Sequence, residues 1–423
     1  MLEITRIRTE KETLIDGLKK RGVDFSPQLN EIYRLDEIWR SKKSDLENVQ
    51  SESNSISKEI GNLMREGKKE EAEAAKAKTT ELKDKEASIK EEVKELDEKI
   101  LKLLYEVPNV PQTIVPAGKD ENDNEVVIEI GKKTEFSGTP LPHWELAKKY
   151  DIIDFELGVK VTGAGFPFYK GKGAKLQRAL INFFLHEGEL AGYTEYMPPH
   201  VVNEASGYGT GQLPDKEGQM YHVGKDDLYL IPTAEVPLTN IYRDEILPSE
   251  DFSIKLTGYT PCFRREAGSY GSHVRGLNRL HQFDKVEIVR LEHPSNSEKA
   301  LEEMVNHVKG LLEKLGLHYR ILRLCGGDLG FTSAITYDFE VFSAAQEKWL
   351  EVSSVSCFET FQANRLKLRY KGNDGKTHLC HTLNGSALAL PRILAALLEN
   401  NQTPDGIKIP EVLHKYLTFT TIS

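Results

Sequence analysis

The 423-residue sequence lacks several features that mark large classes of protein. No apolar run approaches the length of a membrane-spanning helix, and the N-terminus, MLEITRIRTEKETL, has no hydrophobic signal core. An excess of positive charge is also missing, because the formal net charge is −10 at pH 7. These absences predict a soluble cytoplasmic protein with no membrane partner. They argue against a generally basic nucleic-acid binder, although a local basic surface is compatible with an acidic protein.

Cysteine is scarce as well, with four residues widely scattered and no Cys-x-x-Cys pair. A zinc cluster built from Cys325, Cys357, Cys380 and His381 is conceivable. Free buried thiols, including that of Cys262, are the usual state of cysteine in a reducing cytosol, and the scattered spacing favours them.

What the first quarter of the chain has in abundance is charge of both signs. Residues 1–24 predict a short strand or turn and then a helix that starts near Thr9 or Glu10 and ends at Gly22. From about residue 26 to 105, apolar residues recur in heptads, with Lys42 and Ser53 as polar exceptions. The pattern predicts two antiparallel coiled-coil helices of about 50 Å each. Periodicity alone favours an oligomerisation stalk or spacer, and a probe for a large partner is the alternative.

A proline-containing linker follows the heptads, with Pro108, Pro111 and Pro116 preventing a helix. Beyond it, strand and helix patterns alternate to the C-terminus. We therefore predict two domains, a helical arm over residues 1–107 and a mixed α and β body over residues 108–423.

The most informative stretch of the body runs from Gly258 to Leu291. Gly258–Arg265 and Leu280–Val289 read as strands, and the residues between them form a basic loop with three glycines. Alternation along a strand places Phe283, Lys285 and Glu287 on one face.

On the incoming strand, Arg264 and Glu266 are likewise expected to share a face. One surface of the hairpin would then offer an arginine, an aromatic ring and two carboxylates, which suit a phosphate, a flat base and an ammonium group. A surface hairpin with solvated charges is the alternative.

Three further segments combine polar groups with strand or helix ends. Thr233-Ala234-Glu235 follows a short strand and resembles a helix N-cap. Glu351 to Ser354 lie in a strand predicted over Lys348–Val355, where they could be plain surface groups. Arg392 lies at a helix N-terminus, where backbone N–H groups favour anions, although a proline-led amphipathic helix is ordinary core structure.

The run FRREAGSYGSHVRGLNRLHQFDKVEIV resembles motif 2 of class II aminoacyl-tRNA synthetases, and its RGL-x-R-x-HQF-x-KVE portion resembles the seryl-tRNA synthetase version. Residues Tyr193–Pro199 are similar to motif 1, which builds a dimer interface in this class. The run HTLNGSALALPR is similar to motif 3, and GYGTGQLP also matches the family.

The resemblance implies an α+β protein, in which an antiparallel coiled-coil arm that binds tRNA precedes a class II antiparallel-sheet catalytic domain. It implies activation of L-serine by ATP, transfer to the 3′ end of tRNA(Ser), a homodimer, and Mg²⁺ as the metal ion.

The resemblance also assigns residues. Serine binding falls to Thr233, Ala234, Glu235, Arg264, Glu287, Asn384 and Ser386. ATP binding falls to Arg264, Arg265, Glu266, Leu280, Phe283, Glu351, Val352, Ser353, Ser354 and Arg392, and Mg²⁺ binding to Glu351 and Ser354. Within these sets, Arg264 would hold the α-phosphate and the serine carboxylate, Phe283 would stack on adenine, and Arg392 would hold the γ-phosphate. Oxygen ligands are those that Mg²⁺ prefers.

Two other functions share parts of this pattern: a class II-like aminoacyl ligase acting on a carrier protein, and a non-catalytic RNA-binding paralogue. The long arm argues against the first, since a small carrier gives it nothing to reach. The intact Arg264, Glu287, Glu351 and Arg392 argue against the second. One departure from the family pattern is Asn364, where a second basic residue is expected.

Overall fold

The computed structural model describes residues 1–249, 251–266 and 275–423. The centre of the glycine-containing loop predicted within the hairpin therefore lies outside the described residues. The chain forms two compact units. One unit comprises Leu2–Asp16 and Asp24–Pro108, and the other comprises Met1, Gly17–Val23 and Asn109–Ser423.

The first unit is dominated by two long helices, α2 (Ser26–Arg65) and α3 (Lys69–Leu104), preceded by α1 (Ile4–Leu18). This confirms the predicted antiparallel helical pair and its turn. Its apolar seam is made by Leu46, Val49, Ile56, Leu82, Ile89 and Val93. Both polar exceptions fit the seam, because Ser53 is buried and Lys42 Nζ pairs with Glu92 Oε2 at 2.6 Å.

The predicted start of α1 is wrong, and its α-helical part ends at Leu18, although a 3-10 turn over Lys19–Arg21 extends the helical segment to the predicted stop at Gly22. The helix begins at Ile4, and Glu10, the predicted start, is instead a kink with φ −131° and ψ 21°. Ile7 and Leu14 are buried on either side of that kink, so both halves contribute to one apolar face. Gly22 ends the segment with φ +71°, a left-handed conformation that glycine adopts without steric cost.

The second unit is built on an eight-stranded sheet. In chain order its strands are β1 (Glu125–Ile130), β2 (Thr194–Glu195), β3 (Ser253–Phe263), β4 (Gln282–Glu292), β5 (Tyr319–Arg323), β6 (Ile335–Ser343), β7 (Lys348–Glu359) and β8 (His381–Ala389). Their order across the sheet is β1-β5-β6-β7-β8-β4-β3-β2. All neighbours are antiparallel except the edge strand β2, which is parallel to β3.

Helices cover this sheet and complete its core. They are α4 (His143–Lys149), α5 (Phe155–Val161), α6 (Gly171–Leu190), α7 (Glu204–Thr210), α8 (Glu235–Asn240), α9 (Ser297–Lys314), α10 (Thr360–Leu366) and α11 (Leu390–Asn400). Phe183 of α6, Met304 of α9 and Leu394 of α11 are fully buried in one cluster with Ile288 of β4. In the described part of the chain, the other strands are short and lie in four small sheets: Ile153–Asp154 with Phe168–Tyr169; Val201–Asn203, Leu228–Leu230 and His222–Val223; Ile246–Leu247, Arg369–Lys371 and Thr377–Leu379; Gln402–Thr403, Gly406–Lys408 and Thr421–Ile422.

The predicted hairpin is present as β3 and β4, but β3 is shifted toward the N-terminus and ends at Phe263. Arg264 and Glu266 therefore lie beyond the strand, and Glu266 has φ +49°. The expectation that these two side chains share a strand face is wrong, because alternation ends with the ladder. Residues Tyr193–Pro199 are also less regular than predicted, since only Thr194 and Glu195 are paired.

Candidate active site

The middle of β4 supplies the centre of the site. Phe283, Lys285 and Glu287 occupy alternate positions there, so the two-residue period places them on one face. Glu287 lies opposite Ser386 of β8 and Gly258 of β3, while Phe283 lies opposite Cys262. Two predicted serine-binding residues, from different segments of the chain, are thus brought side by side.

A compact buried group surrounds Glu287, whose side chain is 1% exposed. Thr233 Oγ1 donates to Glu287 Oε2 at 2.7 Å, and Lys285 Nζ donates to Thr233 Oγ1 at 2.9 Å. Lys285 also forms an ion pair with Glu287. Lys285 is absent from the predicted site, although the alternation along β4 placed it between two residues that are in it.

Glu235 lies in a second buried network, close enough to Glu287 for the two carboxylates to interact. Its Oε1 accepts from Gln362 Nε2 at 2.7 Å, and Gln362 Oε1 in turn accepts from Thr382 Oγ1 at 2.7 Å. Burial and the nearby Glu287 carboxylate raise the pKa of Glu235 to about 7, against opposing hydrogen bonds from Gln362 and Asn384. This carboxyl can therefore change its charge near neutral pH, and Asn384, another residue assigned to serine binding by the resemblance, hydrogen-bonds it.

Arg264 and Phe283 are also brought together. The guanidinium carbon of Arg264 lies 5.2 Å from the centre of the Phe283 ring, and its Nε donates to Pro232 O at 3.4 Å. The main chain of Arg264 is fixed by a bond from its N–H to His281 O at 2.9 Å. A guanidinium group next to an aromatic ring can bind a nucleotide, because a nucleotide carries both a phosphate and a flat base.

The other predicted residues in motif 2 make contacts of their own. Arg265 N–H donates to Gln219 O at 2.8 Å, and Glu266 forms an ion pair with Arg279. Leu280 is buried, with 5% exposure.

A second group of polar residues lies on β7 and at the start of α11. Arg392 Nη1 donates to Glu351 O at 2.8 Å and lies 3.5 Å from Glu351 Oε2. Ser353 Oγ donates to Ser386 O at 2.6 Å, which joins a predicted ATP residue to a predicted serine residue. Val352, which lies between Glu351 and Ser353 in the sequence, is buried. The bond from Ser353 to Ser386 links one predicted nucleotide residue on β7 to one predicted amino-acid residue on β8.

Asp338 of β6 is a member of this group that the sequence analysis missed. It lies opposite Ser354 in the ladder, and one of its carboxylate oxygens is buried without a hydrogen-bond partner among the described residues. Burial and the nearby Glu351 raise the pKa of Asp338 well above its usual value. Asp338, Glu351 and Ser354 together offer the all-oxygen donor set that Mg²⁺ prefers, and the unpartnered oxygen fits a cation.

All four cysteines are buried free thiols. Within residues 1–249, 251–266 and 275–423, no group of three or more His, Cys, Asp or Glu side chains is arranged to hold a metal. In the same ranges, no helix is both long and apolar enough to cross a membrane.

Comparison with known proteins gives the family. Over 424 residues the chain is 52% identical to the serine–tRNA ligase of Salinibacter ruber, with 100% of this chain and 99% of the relative covered. The chain belongs to the seryl-tRNA synthetase family. Residues 1–111 match the family model for the seryl-tRNA synthetase N-terminal domain, and residues 220–401 match that for the tRNA synthetase class II core domain (G, H, P, S and T).

Solved structures of this family have the same fold. The chain superposes on seryl-tRNA synthetase from Pyrococcus horikoshii complexed with ATP, with a TM-score of 0.93, 35% identity, and 100% of this chain and 99% of the other covered. It also matches cytoplasmic serine–tRNA ligase from Naegleria fowleri in complex with AMP, with a TM-score of 0.88, 25% identity and the same coverage. All site residues predicted from the sequence lie within the matched class II core.

The departure from the family pattern at Asn364 has a local structural account. Its Nδ2 donates to Met1 O at 3.0 Å, and the Met1 ammonium donates to Phe361 O. Asn364 therefore contacts the start of the chain, while its neighbour Gln362 holds Glu235 in the pocket.

Proposed function

We propose that this chain is a serine–tRNA ligase that activates L-serine with ATP to seryl-adenylate and transfers the seryl group to the 3′ end of tRNA(Ser). The proposal rests on one observation: residues suited to bind an amino acid lie next to residues suited to bind a nucleotide. The buried Glu287–Thr233 pair lies on the same strand face as Phe283, which contacts Arg264. An amino-acid pocket beside a phosphate- and base-binding pair is what an adenylating enzyme needs.

The adenylation step requires no nucleophilic side chain. An oxygen of the serine carboxylate attacks the α-phosphorus of ATP in line, a new O–P bond forms, and the bond to the β-phosphate breaks to release pyrophosphate. The protein then contributes orientation of the two substrates and stabilisation of the negative charge that develops. Arg264 would donate to the α-phosphate and to the attacking carboxylate, since its planar fork can contact two oxygens at once.

Serine recognition would use the two buried networks. Glu287, with Thr233 and Ser386, would accept the serine hydroxyl, and Glu235, next to Ala234, would face the ammonium group. Asn384 hydrogen-bonds Glu235, which would hold that carboxylate in place. Lys285 would balance the charge of Glu287 in this network.

In the ATP site, Phe283 would stack on adenine and Arg392 would hold the γ-phosphate. The rest of the ATP site would be lined by Arg265, Glu266, Leu280, Val352 and Ser353. Glu351 and Ser354 would hold Mg²⁺, with Asp338 beside them. The ion would supply neutralisation of phosphate charge. The contact between Arg392 and Glu351 supports a common location for the metal and the terminal phosphate.

Assembly and partners follow the family. Apolar side chains are exposed at and beside the edge strand β2, including Met197 at 91% and Leu190 at 68%, which supports burial of this edge in a homodimer. A sedimentation mass of one chain would contradict the dimer. Residues 1–107 would form the tRNA-binding arm and residues 108–423 the catalytic domain. The four free thiols are consistent with a cytoplasmic location.

Two assays test the function. Serine-dependent ATP–pyrophosphate exchange should be catalysed by the protein alone, and total tRNA should become charged with serine. Exchange without charging would favour the ligase that acts on a carrier protein. Failure of both assays would favour a non-catalytic RNA-binding protein.

Replacing Glu287 should weaken the distinction between serine and alanine. A buried acceptor rejects alanine because alanine leaves it without a donor. Glu287→Ala should therefore raise the serine KM and lower the serine-to-alanine preference by about 10- to 100-fold, the scale of one buried polar group. Pyrophosphate exchange with each amino acid measures this preference.

Glu292→Ala is a matched control for Glu287→Ala. Both glutamates lie on β4, both are 1% exposed, and each pairs with a cation two residues earlier. The control should lose stability but keep the preference for serine. An unchanged preference in Glu287→Ala would show that Glu287 does not read the hydroxyl.

Serine use should depend on pH through Glu235. Its pKa of about 7 lies above the ordinary value, so its carboxylate forms only as pH rises through about 7. Below that pH the group is neutral and loses its attraction for the ammonium. At saturating ATP, kcat/KM for serine should rise through about pH 7, because this parameter reports ionisations of the free enzyme. Glu235→Gln should lower kcat/KM and abolish the step, and the same step in the variant would contradict the assignment.

A further inference from the structure

A fully buried histidine–glutamate pair lies outside the predicted site. His143 of α4 and Glu399 of α11 are both 0% exposed. The histidine Nδ1 lies 2.7 Å from Glu399 Oε1, and its Nε2 accepts from the main-chain N–H of Leu277 at 2.8 Å. Because Nε2 is an acceptor, the ring is neutral and carries its proton on Nδ1, from which it donates to Glu399. One tautomer is therefore selected.

Glu399 is a well-supported partner for this ring. It also accepts from His143 N–H at 2.9 Å, from Gln346 Nε2 at 2.9 Å, and from Ser343 Oγ. The carboxylate is thus a fixed charged acceptor that orients the imidazole.

The ring contacts the segment that leads from the motif 2 loop into β4. Gly276 has φ +67°, and a Cβ added there would lie 2.2 Å from His143 Nε2, so the close approach requires glycine. The next two residues are held by hydrogen bonds. Leu277 N–H donates to the His143 ring, and Asn278 Nδ2 donates to Gln346 Oε1 at 2.8 Å.

The same segment holds Arg392. Its Nε donates to Asn278 O at 3.0 Å, next to its contacts with Glu351. Arg392 and Glu399 are seven residues apart on α11, about two helical turns, and so share one face of the helix. Helix α11 therefore binds residues 277–278 at two points, directly through Arg392 and indirectly through Glu399 and His143.

We propose that His143 is a positioning residue for ATP, which fixes residues 277–278 so that Asn278 O orients the guanidinium of Arg392 toward the terminal phosphate. The inference rests on the proposed function, because the role of Arg392 is part of it. A residue with a merely structural role would change the stability of the chain without acting selectively on one substrate.

Two substitutions separate the two bonds of the ring. In His143→Gln the amide can reach the position of Nε2 and accept from Leu277 N–H. In His143→Asn the side chain can still contact Glu399 but is too short to reach Leu277. Loss of one buried hydrogen bond should make the KM for ATP rise about tenfold in His143→Asn, while His143→Gln stays closer to the parent. The KM for serine should stay unchanged in both.

His318→Asn is the matched control. His318 is a buried histidine whose Nε2 contacts Glu129 Oε1 at 2.8 Å, next to β5 at the far side of the sheet. The His318→Asn variant should have a lower Tm but an unchanged KM for ATP.

A double variant tests whether His143 acts through Arg392. Adding His143→Asn to Arg392→Ala should raise the KM for ATP no further, because the effects of coupled residues are not additive.

The outcomes separate this inference from the proposed function. A parent protein without serine-dependent exchange would overturn both. If the parent is active, equal KM values for ATP in His143→Asn and the parent would overturn the inference alone. So would a parallel rise in the KM for ATP and for serine, or full additivity with Arg392→Ala.

Discussion

Replacing Arg264 by alanine is expected to lower serine-dependent ATP–pyrophosphate exchange by about 10²- to 10³-fold, the scale for removing one preorganised donor to developing charge. The guanidinium lies over the Phe283 ring and makes a long hydrogen bond of 3.4 Å to Pro232 O. These contacts are too weak to determine the fold, so the side chain is available for the substrate. Thermal unfolding and circular dichroism should hardly change.

Arg264→Lys is the matched variant for this experiment. Lysine keeps the positive charge but lacks the planar fork that binds two oxygens together. Its exchange rate should fall between that of Arg264→Ala and that of the parent. A parent-like rate in Arg264→Ala would show that this residue does not hold the α-phosphate, and a large loss of stability would show that its role is structural.

The helices of the arm could be predicted because their signal is local. A heptad repeat fixes which residues form the seam wherever the helix continues, and the polar exceptions Lys42 and Ser53 were tolerated at their positions. The start of α1 could not be placed in the same way. Glu10 interrupts the helical dihedrals, and the residues before it are too few to show a helical period, so the sequence predicts a strand or turn for the first half of the helix.

Within the candidate site, the sequence was sufficient to predict which side chains of a single strand share a face. The period of two gave the common face of Phe283, Lys285 and Glu287. The same rule failed for Glu266, because β3 ends at Phe263 and no ladder fixes the residues that follow. Within-strand alternation is therefore a dependable guide only as far as the partner strand continues.

Residues that reach the site from other elements gave no local signal. Asp338 meets Ser354 only because β6 pairs with β7, and Gln362 meets Glu235 only because α10 lies against the pocket. His143 is a similar case, since 256 residues separate it from Glu399. These contacts follow from the pairing of strands and the packing of helices in the folded chain, which no single stretch of sequence specifies.

Shortening the arm should separate serine activation from tRNA charging. Gln50 Nε2 donates to Glu86 Oε1 at 2.9 Å, so these residues face each other across α2 and α3. Excising residues 51–85 and joining the ends by a short glycine-containing turn keeps the apolar contacts of Leu46, Val49, Ile89 and Val93. Pyrophosphate exchange should stay close to the parent rate, because the predicted serine and ATP residues all lie beyond residue 230.

Charging of tRNA should fall much further. Two binding modules linked in one chain bind a common partner about 10²- to 10⁴-fold more tightly than either alone, and the excision removes most of one of them. A control that replaces only residues 66–68 by a glycine-containing turn of equal length tests whether the joint itself matters. Equal loss of exchange and charging would contradict a separate tRNA-binding role for the arm. Parent-like charging in the excised protein would instead indicate that the arm is a spacer or an oligomerisation stalk.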